Sequence, residues 1–225
     1  MTVKETRLVS YRAFEGVAHF AYRPDAYDKA IFGESKAYRR LALRKTDKVL
    51  DVGAHIGIYT AWAAQNCMGV VAYEPEPTNL VLLRKNTKQF KNVVVVGAAL
   101  TGAQDKRREL EFYVQGANTV GHSIHHFRGR GTMLVHAQPA IEVIKAHKIT
   151  VVKLDCEGAE YPIVLDSAFP KHVRGVVMEM HFGKQTFRDW SKEAHAAMLA
   201  QGFTAVHPPN LENRGLWHTN AVYER

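Results

Sequence analysis

The sequence predicts an α/β protein with a mostly parallel seven-stranded sheet, helices on both faces and a C-terminal antiparallel hairpin. From Val49 onward, apolar and β-branched runs alternate with segments of helical periodicity. This pattern is typical of parallel strands that are covered on both faces. The tail differs, because the strand-like runs Phe203–Val206 and Thr219–Tyr223 have no helical pattern between them. These two runs predict the hairpin, with one strand antiparallel to the rest of the sheet.

The alternating region predicts the individual elements. Buried strands are expected at Val49–Val52, Val70–Tyr73, Val93–Val96, Val151–Leu154 and Val176–Met180. Helices are expected at Ile58–Asn66, Thr78–Phe90, Pro139–His147, Tyr161–Asp166 and Trp190–Gln201. Outside this pattern we expect a short helix at Ala37–Leu43 and a strand at Glu109–Gln115. We assign residues 48–225 to one domain and treat residues 1–47 as a segment that packs on it.

Composition and charge restrict the class of protein. The formal net charge is +8 and the isoelectric point is near 9.5, which favours an anionic partner such as nucleic acid, a phosphorylated sugar or an acidic lipid surface. Cys67 and Cys156 provide neither a disulfide framework nor a zinc spacing. No apolar run approaches the ~20 residues of a membrane helix, and the first residues lack the apolar region of a signal peptide. We expect a cytoplasmic protein without a membrane span.

The stretch Lys48–Gly57, KVLDVGAHIG, has the layout of a nucleotide-binding strand, turn and helix. Gly53 and Gly57 permit a tight turn, and Glu74 ends the next strand, where it can accept hydrogen bonds from both ribose hydroxyls. Asp51 stands ahead of the turn and would repel a pyrophosphate, but not a cofactor that carries an amino acid and a sulfonium. The pattern therefore favours S-adenosyl-L-methionine over NAD. Further cofactor contacts are expected from Asn79 and Ala98.

Acidic side chains cluster where the fourth and fifth predicted strands end. Asp155, Glu157 and Glu160 follow the fourth strand, and Glu179 and His181 end the fifth. Burying an ion is costly unless the ion is paired or functional, and a general base needs a pKa near the working pH. The group as a whole therefore indicates a catalytic site. For Asp155 or Glu157 alone, a place at a helix N-terminus is an equally good interpretation.

Four stretches, DVGAHIGIYT, YEPEPTNLVLLRKN, KLDCEGAEYPIVL and VVMEMH, resemble the FkbM-type family of S-adenosylmethionine-dependent methyltransferases. The element KxDxEGxE is the most specific part of this resemblance, which covers about Val49–His181. The resemblance implies a Rossmann-like class I methyltransferase sheet and methyl transfer, usually to a hydroxyl oxygen. It also implies that Asp51, Gly53, Gly57 and Glu74 bind the cofactor and that Asp155, Glu157, Glu160, Glu179 and His181 face the reaction centre.

We therefore expect SN2 methyl transfer to a hydroxyl of a sugar-like or other small acceptor, with residues 1–47 on or over the acceptor site. Asp155 and His181 are predicted to orient the acceptor and remove its proton, with Glu157 and Glu179 organising them. We expect no metal ion. A metal held by Asp155, Glu157 and Glu179 is the lesser alternative.

The segment Gly116–Gly131 combines glycines with three histidines and two arginines, namely His122, His125, His126, Arg128 and Arg130. We predict a lid over the acceptor pocket that favours a phosphate, sulfate or carboxylate on the acceptor. The basic N-terminal segment and the Arg-Gly steps also leave open a nucleic-acid methyltransferase. A cofactor-binding module without catalysis is the remaining alternative. The oligomeric state is not predicted.

Overall fold

The computed structural model describes residues 10–14, 17–24, 26–114, 123, 131–182, 185–212 and 217–225. Strands β1 (Ser10–Phe14) and β2 (Val17–Tyr22) form an antiparallel hairpin. Helix α1 (Asp28–Glu34) and a 3₁₀ turn (Ala37–Arg40) follow. The described part of the N-terminal segment thus has secondary structure of its own.

The rest of the chain alternates strands and helices. The first half contains β3 (Lys48–Val52), α2 (Ile58–Asn66), β4 (Gly69–Tyr73), α3 (Pro77–Thr87), β5 (Val93–Val96), β6 (Ala99–Thr101), β7 (Glu109–Val114) and β8 (Gly131–Pro139). The second half contains α4 (Ala140–His147), β9 (Val151–Leu154), α5 (Glu160–Leu165), β10 (Gly175–His181), α6 (Gln185–Ala200), β11 (Thr204–His207) and β12 (His218–Glu224).

Seven strands form the main sheet in the order β11-β12-β10-β9-β3-β4-β5. The pairs from β10 through β9, β3 and β4 to β5 are parallel. Strand β12 is antiparallel to both of its neighbours, β10 and β11. The strand order reverses between β3 and β9, so a ligand of such a sheet is expected beyond the carboxyl ends of these strands. The predicted sheet and its C-terminal hairpin are confirmed.

Helices cover both faces of the sheet, and alternate residues of the central strands enter different cores. Leu50 and Val152 pack into one cluster with α4, α5 and α6. Val49 and Val151 pack into the other with α2 and α3. All residues of β9 and β10 are buried. Because both faces are covered, these strands consist almost entirely of apolar residues, as the sequence indicated.

Several boundaries differ from the expectation. The predicted helix at Ala37–Leu43 is a 3₁₀ turn, α3 ends at Thr87, and α6 begins at Gln185. The hairpin of β1 and β2 was not predicted. A three-stranded sheet in the order β6-β8-β7 also lay outside the prediction, apart from β7 itself. The pairing of β6 with β8 joins segments about 30 residues apart, which local periodicity does not reveal.

The N-terminal hairpin is bound to the main domain by the side chain of Asn86, which lies on α3 and is 2% exposed. The Asn86 carboxamide oxygen accepts the N–H of Ala21 at 2.7 Å, and its nitrogen donates to the Ala21 carbonyl at 2.9 Å. The same nitrogen donates to the carbonyl of Ile56 at 2.8 Å. One amide therefore joins β2 to the turn that precedes α2.

Two further expectations concern the predicted lid and the absence of a membrane span. Of the predicted lid Gly116–Gly131, only Ser123 and Gly131 lie within the described residues, so the histidines and arginines of the lid lie outside them. Within the described parts of the chain, no helix has the length and apolar character needed to span a membrane.

Candidate active site

Glu74 lies at the carboxyl end of β4 and is 5% exposed. Its two oxygens accept backbone N–H groups, from His55 at 2.8 Å and from Glu76 at 2.9 Å. Burial raises the pKa of Glu74 to about 7, although both of these hydrogen bonds favour the ionised form. A carboxylate has about four lone-pair sites. The side chain of Asn79 also donates to Glu74, and the acceptor capacity that remains can take a hydroxyl group of a ligand.

Gly53 brings the turn after β3 against the turn after β9. Its φ is +72°, and a β-carbon on this residue would lie 1.8 Å from the carbonyl oxygen of Asp155. No other residue type fits there, because even alanine would overlap that oxygen. The N–H groups of Gly53 and Ala54 both donate to the carbonyl of Tyr73, at 3.1 and 3.0 Å. This turn, residues 53–57, is the glycine turn, and it is held between β4 and the loop after β9. That loop carries part of the acid cluster, by which we mean Asp155, Glu157, Glu160, Glu179 and His181.

Asp51 is fully buried within β3 and is paired with a lysine of the neighbouring strand β9. Its Oδ1 lies 3.1 Å from Nζ of Lys153, and its Oδ2 accepts the hydroxyl of Thr60 at 2.5 Å. The charge of Asp51 is therefore balanced inside the protein. The carboxylate is connected to the turn through Lys153, which donates to the carbonyl of Gly53.

Lys153 extends from β9 beneath the glycine turn. Its ammonium donates to the carbonyls of Val52 at 3.2 Å and Gly53 at 2.7 Å, in addition to its contact with Asp51. Burial alone would lower the pKa of Lys153, but the Asp51 and Asp155 carboxylates raise it, so the ammonium stays charged. An ammonium has three N–H donors. The two carbonyls accept two of them, while carboxylate oxygens of Asp51 and Asp155 lie 3.1 Å and 3.5 Å from Nζ.

Glu160 opens α5 and is completely buried. Its Oε2 accepts the N–H of Gly158 at 2.8 Å, and its Oε1 accepts Nδ1–H of His181 at 3.0 Å. Burial opposes ionisation of Glu160, but His181 and the backbone N–H groups lower its pKa below the ordinary value. The hydrogen bond from Nδ1 fixes the ring of His181 and directs Nε2 away from Glu160.

Nε2 of His181 faces three further carboxylates. It lies 3.4 Å from Glu157, 3.4 Å from Glu179 and 4.0 Å from Asp155. Burial by itself would lower the pKa of His181, but Glu157 and Glu160 raise it well above the ordinary value. The ring is therefore an imidazolium at neutral pH in the unliganded protein. It partly balances the negative charge of the cluster.

Tyr38, on the 3₁₀ turn, reaches the same cluster from the N-terminal segment. Its hydroxyl lies 2.6 Å from Oε2 of Glu179 and 2.9 Å from Oδ2 of Asp155. Burial and the charges of Asp155 and Glu179 raise the pKa of Tyr38 well above the ordinary value, so it remains a phenol and a donor. The Nζ of Lys153 lies 5.1 Å from the centre of its ring.

Glu157 has a backbone conformation that non-glycine residues rarely adopt, with φ of +55°. Ser123 stabilises it by donating its hydroxyl to the carbonyl of Glu157 at 2.6 Å. Burial raises the pKa of Glu157 to about 7; Asp155 adds to this effect and His181 opposes it. Strained backbone at such a position is typical of functional sites. Ser123 lies in the segment that the sequence predicts as a lid.

The remaining predicted cofactor residues lie along the same edge of the sheet. Gly57 precedes α2, and Ala98 is buried between β5 and β6. Asn79 is buried in the first turn of α3, where its N–H donates to the carboxylate of Glu76 at 2.6 Å. Its side-chain oxygen accepts the guanidinium of Arg23, from the end of β2. The structure thus gathers the predicted cofactor residues on β3, β4 and the loops that follow, beside the acid cluster.

A polar cavity of about 320 Å³ adjoins the cluster. Glu179 connects the cavity to the cluster, and His218 and Asn220 of β12 continue this wall. The opposite wall comes from the N-terminal segment and consists of Gly33, Glu34, Lys36, Ala37 and Arg40. The carboxamide oxygen of Asn220 is buried and has no hydrogen-bond partner among the described residues.

The profile of the methyltransferase FkbM domain matches residues 51–204, a span that contains the glycine turn and the acid cluster. The chain belongs to the FkbM methyltransferase family. The resemblance drawn from the sequence motifs is therefore confirmed. No curated protein sequence matches the chain significantly.

Solved structures that resemble this FkbM protein share its fold at low sequence identity. Trm5b from Pyrococcus abyssi has a TM-score of 0.50 and 11% identity, and the alignment covers 96% of this chain and 54% of that one. Precorrin 8w decarboxylase from Methanobacterium thermoautotrophicum has a TM-score of 0.48 and 14% identity over 86% and 89% of the two chains. SMU.1697c from Streptococcus mutans, solved with S-adenosylhomocysteine (SAH), has a TM-score of 0.44 and 14% identity over 86% and 96%. The fold is that of Rossmann-like class I methyltransferases.

Sequence reasoning missed three residues of this site. Lys153 had a signal, because a lysine inside an apolar strand needs a buried partner, and Asp51 occupies the paired position of the next strand. Tyr38 contacts residues more than 100 positions away, at separations of 117 and 141. Ser123 is 34 positions from Glu157. Neither Tyr38 nor Ser123 has a local pattern that indicates its contact.

Proposed function

We propose that this FkbM protein is an S-adenosylmethionine-dependent O-methyltransferase that acts on a hydroxyl of a small, polar, sugar-like acceptor. One observation carries the proposal. The turn after β3 and the turn after β9 are in contact, since the carbonyl of Asp155 fills the space where a β-carbon of Gly53 would lie. The proposed cofactor site is therefore directly beside the acid cluster.

The chemistry of the cofactor half supports S-adenosylmethionine. Glu74 is a buried carboxylate whose pKa is raised by desolvation, and hydroxyl groups of a ribose would donate to the acceptor capacity that its protein partners leave open. Gly53 and Gly57 keep the turn free of side chains, so a ligand can approach its backbone. Asn79 and Ala98 extend the site toward the base. Asp51 acts through Lys153, which holds the carbonyl of Gly53.

The acid cluster suits proton transfer from a hydroxyl. The bound cofactor would supply an electrophilic sulfonium methyl group. We propose that Asp155 and His181 orient the acceptor hydroxyl, that Asp155 removes its proton, and that Glu157 and Glu179 hold His181 in place. Because the unliganded His181 is an imidazolium, Asp155 receives the proton first. Such proton transfer contributes ~10²–10⁴-fold, and positioning of the acceptor supplies the larger share.

The cavity beside Glu179 supports an acceptor site covered by residues 1–47. Its volume of about 320 Å³ suits a small molecule. Glu34, Glu179 and the unpartnered oxygen of Asn220 are acceptors, which favours a ligand rich in hydroxyl donors. Lys36 and Arg40 on the opposite wall favour a negative charge elsewhere on that ligand. A hydroxyl-bearing anion, such as a sugar acid or sugar phosphate, combines both features.

A screen with methyl-labelled S-adenosylmethionine tests the proposal. Sugars, sugar acids, sugar phosphates, lipids, small metabolites and nucleic acids are incubated with the protein, and the labelled product is analysed for its new bond. We expect a methyl ether, lost in Asp155→Asn, while SAH still binds that variant in calorimetry. Glu193→Ala, an exposed carboxylate of α6, is the control. Label on nitrogen, or SAH binding without any labelled product, would contradict the proposal.

A further inference from the structure

Tyr38, on the 3₁₀ turn, places its hydroxyl between two carboxylates of the acid cluster. The hydroxyl is 2.6 Å from Glu179 and 2.9 Å from Asp155, both within hydrogen-bonding distance. Yet a phenol has a single proton to donate. The two carboxylates therefore share one donor, which is itself 4% exposed.

The shared donor makes the protonation states of the two acids interdependent. While both acids are ionised, the hydroxyl proton is divided between them. If Asp155 takes up a proton, its new O–H donates to the Tyr38 oxygen, and the Tyr38 proton then belongs wholly to Glu179. Lys153 also lies 3.5 Å from Oδ2 of Asp155, but its ammonium directs hydrogen bonds to the carbonyls of Val52 and Gly53.

We propose that Tyr38 is a positioning residue whose hydroxyl proton shifts between Asp155 and Glu179 as Asp155 gains and loses the proton of the acceptor. The inference rests on the proposed function. In the step, the acceptor O–H bond breaks and its proton moves to Asp155. The acceptor oxygen forms its bond to the methyl group, and the S–CH₃ bond breaks. The reorientation of the Tyr38 proton keeps Glu179 ionised and in place beside His181.

Other charged groups surround the trio of Tyr38, Asp155 and Glu179 and influence the pKa values of the two acids. His181 and His218 each lie 3.4 Å from Oε1 of Glu179. Glu34 interacts with both acids from α1. The groups that face the trio from all neighbouring elements are Glu34, Lys153, Glu157, His181 and His218.

A second buried tyrosine provides a matched control. Tyr59 contacts the edge of Tyr38, with ring centroids 6.0 Å apart, and is 3% exposed. Its hydroxyl has no hydrogen-bond partner among the described residues. Tyr38→Phe and Tyr59→Phe therefore each remove one buried hydroxyl from neighbouring rings, and only the first removes a donor from carboxylates.

The test measures the titration of Asp155 and Glu179 by carbon NMR in protein labelled at the side-chain carboxyls, without cofactor or acceptor. Tyr38→Phe should raise the midpoints of both acids by about one pH unit, and Tyr59→Phe should leave them unchanged. SAH affinity, measured by calorimetry, should match wild type in both variants. Unchanged midpoints in a Tyr38→Phe variant that binds SAH normally would overturn the inference.

A second measurement uses wild-type protein and does not depend on a variant that folds. With tyrosine labelled at Cζ, the Tyr38 resonance should move with the same midpoint as Asp155, while that of Tyr59 stays fixed. A Tyr38 chemical shift that does not change as Asp155 titrates would overturn the inference. Neither readout involves methyl transfer, so either result leaves the test of the proposed function independent.

Discussion

The carbonyl oxygen of Asp155 occupies the position that a side chain of Gly53 would need, 1.8 Å from where the β-carbon would lie. The contact joins the turn after β3 to the turn after β9. It makes one glycine responsible both for the shape of the proposed cofactor site and for the distance between that site and the acids.

Gly53→Ala should therefore impair binding and stability together. The added methyl group must separate the two turns, and overpacking of this kind costs about 1–3 kcal/mol of unfolding free energy. Denaturant unfolding and calorimetry with SAH measure both effects. Gly131→Ala is the control, because no atom of the described residues lies within 4 Å of its missing β-carbon. Normal SAH affinity in Gly53→Ala would show that the contact does not shape the cofactor site.

Glu74→Ala should weaken SAH binding strongly while leaving the sheet intact. Hydrogen bonds to a charged group contribute about 1.5–3 kcal/mol, so loss of the ribose contacts should raise the Kd at least about tenfold. Calorimetry measures the change, and circular dichroism checks the fold. Glu193→Ala should bind as wild type does. Retained affinity for SAH in Glu74→Ala would contradict the ribose contact, and binding of NADH instead of SAH by the wild-type protein would exclude the proposed cofactor.

Binding of SAH should depend on pH through Glu74. Its pKa of about 7 in the free protein means that the ionised carboxylate, which accepts the hydroxyls, predominates only above that pH. Affinity should therefore fall as the pH drops below about 7, by at most tenfold per unit. Calorimetry measures this profile between pH 5.5 and pH 8.5, which lie roughly one to two pH units on either side of the pKa of Glu74. A flat profile in wild type would contradict the assignment, and Glu74→Ala should give one.

The same raised pKa affects the stability of the unliganded protein. A carboxyl group whose folded pKa lies above its unfolded value favours folding at low pH, and this contribution is lost as the pH rises through about 7. SAH should offset this loss, since it supplies donors to the ionised form. The increase in Tm on adding saturating SAH should thus be larger at pH 8 than at pH 6. Equal increases would indicate that Glu74 does not contact the ligand.

Removal of metal ions should leave methyl transfer unchanged. Asp155, Glu179 and His181 have donor atoms within 4.8 Å of one another, a spacing that would suit a divalent ion. We nevertheless expect none, because the Tyr38 hydroxyl and the His181 imidazolium already satisfy these carboxylates. The labelled-methyl assay is run with EDTA and with added Mg²⁺. Activity lost in EDTA and restored by Mg²⁺ would contradict this expectation.

Nucleic acid should bind only weakly, despite the net charge of +8. Charge alone produces nonspecific retention, which falls steeply with salt as counterions are released. Electrophoretic shift assays on RNA and DNA across a salt series measure this dependence. Tight binding that selects one sequence or structure, together with methyl transfer to the polymer, would support the alternative of a nucleic-acid methyltransferase.

The cofactor half was predictable because its signals are local. The run into Asp51, the glycines of the turn and the acid at Glu74 lie within one strand-helix-strand unit, whose geometry is nearly fixed by its sequence. The acids at Asp155 and Glu179 were placed at one edge by a single rule, since parallel strands end on the same side of a sheet.

The contacts that complete the site were not predictable, because they depend on packing between distant segments. In the sequence, Tyr38 is one of several aromatic residues of the N-terminal segment. Its hydrogen bonds to Asp155 and Glu179 depend on where the 3₁₀ turn packs. The partner of Asp51 was likewise not predicted, because Lys153 lies on the neighbouring strand β9, about 100 residues further along the chain.

The carboxamide of Asn86 has a consequence for cooperativity. Its hydrogen bonds to Ala21 and Ile56 span the N-terminal hairpin and the turn before α2, and the group is almost completely shielded from water. Detaching the hairpin would break the hydrogen bonds between Ala21 and the buried carboxamide of Asn86, at a cost of about 1–3 kcal/mol. Opening of the hairpin and loosening of the turn before α2 should therefore be coupled, so that a ligand that stabilises the turn should also slow hydrogen exchange at Ala21.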